Sequence, residues 1–60
     1  MEIIEIKKDS SVSRLMDELQ VDSGLTIVAV NGKVLSENER ECKELKRGDR
    51  VTLLTIFVDG

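Results

Sequence analysis

The chain has sixty residues, with twelve acidic side chains against nine basic ones and a net charge of −3; it has no histidine, tryptophan, tyrosine or proline and one cysteine. Such a length holds one domain over residues 1–60 with a thin core, and no enclosed cleft of the roughly 300–1,000 Å³ that small-molecule sites occupy. Without imidazole or a set of soft ligands, neither a self-contained acid–base enzyme nor a zinc site is expected.

The acidic balance and the lack of stacking aromatics argue against nucleic acid as a partner. The single Cys42 excludes an internal disulfide and suits a reducing compartment. The longest apolar run falls far short of the roughly 20 residues that cross a bilayer, and the acids in MEIIEIKKDSS do not suit a secretory leader. The expected setting is the cytoplasm, without a membrane partner.

Met1 to Ile6, with Ile3, Ile4 and Ile6 set between Glu2 and Glu5, predicts a short strand with at least one apolar face. Asp9-Ser10-Ser11 are three residues of helix-capping type, and beyond them Val12, Leu15, Met16 and Leu19 recur at helical spacing. Ser13, Arg14, Asp17 and Glu18 take the solvated side, and Met16 reads as core filler. Gln20 to Gly24 ends the helix. Leu25 to Val30 predicts a second strand, Asn31-Gly32 a tight hairpin, and Lys33-Val34-Leu35 the returning strand.

Residues 36–44, SENERECKE, are charged without a strand period, which predicts a loop containing a turn of helix. Cys42 has no histidine or second thiol in sequence reach, so a redox or catalytic role is not expected of it. Arg47-Gly48-Asp49 reads as a tight turn feeding the last strand rather than as an adhesion signal. In that strand, Val51 to Val58, every residue is apolar or threonine, which marks it as buried and near the middle of the sheet.

Strand alternation puts Val51, Leu53, Thr55 and Phe57 on one face and Thr52, Leu54, Ile56 and Val58 on the other. The 25–30 strand repeats the pattern, with Ile27 and Ala29 opposite Val28 and Val30. One helix covers one face. The second is either an apolar partner surface or is covered by the 36–44 loop or by a second copy of the chain.

The order of elements, together with Ser11-Val12 and Leu15-Met16, Val28-Ala29-Val30-Asn31-Gly32-Lys33-Val34, and Leu45 with Gly48-Asp49-Arg50-Val51, resembles the β-grasp sulfur carriers of the ThiS/MoaD type. These are the small ubiquitin-like proteins of thiamine and molybdopterin biosynthesis. The resemblance implies an α+β, β-grasp fold with one helix on a small mixed sheet of about four strands. It also implies a carrier that is not an enzyme and binds no cofactor. Its ubiquitin-activating-type partner uses ATP and Mg to adenylate the terminal carboxylate, which becomes a thiocarboxylate and donates sulfur to an accepting synthase. Carried over, Gly60 is the acceptor and Val58, Asp59 and Gly60 form the tail. Ile27, Ala29, Leu54, Ile56 and Val58 form the partner-binding face. Glycine suits such a tail because only an unbranched, φ-permissive backbone threads a closed activating site.

The chain departs from that pattern twice. Asp59-Gly60 stands where the family has Gly-Gly, leaving open a divergent carrier with an adapted partner, a missing last residue, or a tail that is not activated. One strand, rather than a hairpin, precedes the helix. The expectation is a four-stranded sheet with strand 2–6 parallel to and beside strand 51–58, and an edge able to pair with another molecule. The same elements resemble the TGS modules, which bind RNA or protein without tail chemistry, and a lysine-linked modifier would share the adenylation step. The receiving pathway is not legible in the residues.

Overall fold

The helix starts where the polar triplet ends. Ser11, in extended conformation, accepts a hydrogen bond from the Arg14 N–H at 3.1 Å and so caps α1 (Val12–Leu19). The helix stops at Gln20, whose left-handed backbone (φ 54°) lets the Val21 N–H reach back to the Met16 carbonyl. Val12 and Met16 are buried and Leu15 half-buried, whereas Leu19, at the end of the stripe, is 42% exposed.

A computed structural model describes residues 1–56. In it β1 (Glu2–Glu5) leads to β2 (Ser10–Ser11), α1, a 3-10 turn (Ser23–Leu25), β3 (Thr26–Val30), β4 (Lys33–Val34), α2 (Glu37–Cys42), β5 (Glu44–Leu45) and β6 (Arg50–Thr55). The main sheet has the order β1-β6-β3-β4, with β6 inside it as its composition predicts; β2 and β5 form a separate two-stranded ladder. Helix α1 lies on one face, above a core of Ile6, Val28, Val30, Leu35, Leu45, Val51 and Leu53. Phe57 and Val58, expected to extend the last strand, lie outside the described residues.

Strand β1 does lie beside β6, but antiparallel to it, with Ile4 opposite Val51 and Glu5 opposite Arg50. The expectation of a parallel pair, and with it of a mixed sheet, is corrected: the described sheet is antiparallel throughout. The cause is the length of the connection. Only residues 6–9 separate β1 from β2, and β2 is bonded to β5, which enters the turn that launches β6. The end of β1 is thereby held at the start of β6, where Ile6 donates to the Asp49 carbonyl at 2.8 Å and accepts from the Gly48 N–H at 2.7 Å.

The Asn31-Gly32 hairpin forms as predicted, with positive φ at both residues (51° and 86°). The Asn31 side chain also ties the hairpin to the turn before β6. Its amide donates to the Asp49 carboxylate at 3.1 Å, and its carbonyl accepts from the Arg50 N–H at 2.9 Å. Asp49 further accepts from the Lys46 N–H at 2.9 Å, and these bonds, the backbone one foremost, hold its carboxyl below the ordinary aspartate range. At the crest of this turn Gly48 takes φ 95°, where a side chain would be strained. Asp9 accepts from the Arg47 N–H at 2.8 Å and closes the β1–β2 connection onto the same turn.

Residues 36–44 contain the predicted turn of helix as α2. Its start is a reciprocal capping box: Ser36 Oγ accepts from the Glu39 N–H at 3.2 Å, and Glu39 accepts from the Ser36 N–H at 3.1 Å. The backbone bond from Ser36 is the main reason the Glu39 carboxyl sits below its usual range. The Arg40 guanidinium then fastens α2 to the entry of β3, donating to the Ser23 and Thr26 carbonyls at 3.1 and 2.9 Å.

Candidate functional site

The sheet face turned away from α1 is built from alternate residues of all four strands. One row runs Ile3, Thr52, Ala29, Val34 across β1, β6, β3 and β4, and the next pairs Leu54 with Ile27. Ile56, just past β6, donates its N–H to the Leu25 carbonyl at 2.7 Å and continues this apolar end. Exposure decides that the face is open: Ile27 is 38% exposed, Leu54 43%, Ile56 46%, Ile3 60% and Val34 63%. Their neighbours one residue along, Val28, Val51 and Leu53, are buried.

Of the predicted partner-binding residues, the structure brings Ile27, Ala29, Leu54 and Ile56 onto this one face, with Ala29 half-buried. Val58, and with it the tail of Asp59 and Gly60, lies outside the described residues. The 36–44 segment does not cover the face, because α2 packs against α1 on the other side. Sequence reasoning left out Ile3 and Val34. Both were within reach of it: a two-residue hairpin sets Ala29 opposite Val34, and alternation in Glu2–Glu5 puts Ile3 and Ile4 on opposite faces.

The face is apolar where β6 ends and charged where β6 begins, with Glu5 directly opposite Arg50. Apart from the Glu5 carboxylate beside Arg50, the strand residues described on this face are apolar or Thr52, with no lysine among them, and its chemistry is that of a docking surface. Among the described residues no group of three His, Cys, Asp or Glu side chains is placed to hold a metal ion. A hollow of about 340 Å³ lies between α1 and α2, lined by Ser13, Asp17, Arg40 and Glu41 among others. Its one cation, Arg40, is committed to the two backbone carbonyls and lies 3.9 Å from Glu37. Cys42 is exposed. Among the described residues no helix is long and apolar enough to cross a membrane.

A helix on one face of a four-stranded sheet, with the opposite face apolar and open, defines a small α+β protein of the β-grasp class. The model of the ThiS family matches residues 1–58, and the chain belongs to that family. No curated protein and no solved structure matches it. ThiS-family proteins are small carriers rather than enzymes and work with activating enzymes and sulfur-accepting synthases, so membership supports a sulfur-carrier role in general.

Proposed function

We propose that this chain carries sulfur as a thiocarboxylate on the carboxyl group of Gly60, for thiamine, molybdopterin or a related biosynthesis. What carries the reading is the family match over residues 1–58. The open face agrees with it, because Ile27, Leu54 and Ile56 form an apolar landing next to the point where β6 hands over to the tail.

A carboxylate resists attack until one oxygen becomes part of a good leaving group. In the proposed cycle the activating enzyme binds the sheet face and admits the tail. The Gly60 carboxylate oxygen attacks the α-phosphorus of ATP, with Mg bound to the nucleotide, and pyrophosphate departs. Hydrosulfide then attacks the acyl carbon, its proton is lost, and AMP leaves with the electron pair of the broken C–O bond. The thiocarboxylate sulfur then attacks an electrophilic carbon of the substrate held by the accepting synthase and displaces its leaving group; water adds to the acyl carbon, the acyl C–S bond breaks with its electrons staying on sulfur, and the carboxylate returns. The carrier supplies no catalytic side chain to these steps. Its exposed Cys42 is a free thiol that suits the reducing cytoplasm proposed as its setting.

Asp59 favours a second reading, a binding module of TGS type without tail chemistry, since a carboxylate beside the reacting end repels ATP phosphates. ATP–pyrophosphate exchange by the activating enzyme separates the two. Exchange that depends on the full chain and disappears when Gly60 is removed is the expected result. Binding that is unchanged by removal of Gly60, with no exchange from either form, would establish the module instead.

A further inference from the structure

The edge of β1 is unpaired in a way that selects a partner. Ile6 turns its amide to β6, and the direction of backbone groups alternates along a strand, so Ile4 and Glu2 face β6 as well. The N–H and C=O groups of Ile3 and Glu5 therefore point outward, and among the described residues nothing bonds to them. The opposite edge is guarded, because β4 is two residues long and carries Lys33. Strand β1 has no lysine and no proline, and its register with β6 is unbroken.

We propose that β1 pairs with β1 of a second copy of this chain, antiparallel, about a twofold axis normal to the sheet and passing at Ile4. Such an axis keeps the same face up in both copies, so residues opposite one another must belong to the same face. That requirement, with charge, restricts the register. Centring on Glu2 or Glu5 would set glutamate directly against glutamate, which is destabilising. Centring on Ile3 bonds Ile3 to Ile3 but leaves Glu5 to the terminal residue Met1. Centring on Ile4 sets Ile3 of each copy opposite Glu5 of the other and satisfies every outward group of Ile3 and Glu5. It also places Glu2 of each copy beside the start of the other's Lys7-Lys8 pair. The two open faces become continuous through Ile3, while the two β6 strands leave at opposite ends. Leu54 and Ile56 stay uncovered, so this pairing is independent of the sulfur-carrier reading.

Sedimentation of the full chain over a concentration series into the millimolar range should show a reversible monomer–dimer equilibrium. Ile3→Pro deletes an outward N–H while sparing the bonds to β6, and should weaken the dimer about tenfold or more. Cysteine pairs test the register without relying on that fold. In a Cys42→Ser background, Ile3→Cys and Glu5→Cys chains mixed in equal amounts under mild oxidation should give the mixed disulfide at about tenfold or more over each homodisulfide, well beyond the roughly twofold excess of random pairing. Opposed residues of a hydrogen-bonded antiparallel pair lie about 5.5 Å apart at Cα, within disulfide reach. A monomer throughout the series, a dimer as tight with Ile3→Pro as without, or a mixed disulfide at no more than the random twofold excess over each homodisulfide would each overturn the proposal.

Discussion

Leu54→Glu is expected to weaken binding to the activating enzyme about 100-fold or more and to leave the carrier folded. Leu54 sits opposite Ile27 at the apolar end of the open face and is 43% exposed, so a longer polar side chain there meets water, not the core. In a complex the same carboxylate would be taken out of water against an apolar surface without a partner charge, which costs far more than the lost contact. Titration calorimetry against the activating enzyme, with a thermal melt of each carrier, reads both halves. Equal affinity for the two carriers would remove the face from the account. A collapsed melt for Leu54→Glu would mean that the face is part of the core.

Leu45→Ala should have the opposite signature, a large loss of stability wherever the partner binds. Leu45 is 1% exposed and is the largest of the fully buried side chains, held in β5 opposite Ser10 of β2. Removing its branched end costs about 2–5 kcal/mol, part transfer and part cavity. A chain of this size has only about 3–9 kcal/mol in total, at roughly 0.05–0.15 kcal/mol per residue. The midpoint of thermal unfolding should fall by about 10–30 °C. Leu45→Met, which keeps the volume, should cost less than about 1.5 kcal/mol. A fall below about 4 °C for the alanine variant would show that β5 is not part of the cooperative core.

Much of this architecture is legible in the residues because local and global signals agree. The helical spacing of Val12, Leu15 and Met16, the Asn31-Gly32 pair and the unbroken apolar run from Val51 each report on a neighbourhood of a few residues. Alternation in two strands was enough to place Ile27, Ala29, Leu54 and Ile56 together on the open face. The direction of β1 was not legible in this way. It follows from a short connection, from the Asp9 bond to Arg47 and from the Ile6 bonds to Asp49 and Gly48, which join residues some forty positions apart. Family resemblance pointed to the wrong direction because only one strand before the helix was legible; the second, β2, is two serines without an apolar pattern, and it pairs with β5 rather than forming a hairpin with β1. The capping box at Ser36 and Glu39 was readable as S-x-x-E. The Arg40 anchor to Ser23 and Thr26 was not, since on a charged helix face nothing distinguishes it from Glu41 or Lys43.

The central claim is that the final carboxyl group is the working part and the folded domain is its handle. Intact-mass spectrometry of the carrier after incubation with its activating enzyme, ATP, Mg and sulfide tests it directly. The account predicts a mass gain equal to replacement of one oxygen by sulfur, located at Gly60 and absent without ATP. An unchanged mass, under conditions where the enzyme binds the carrier, would contradict it.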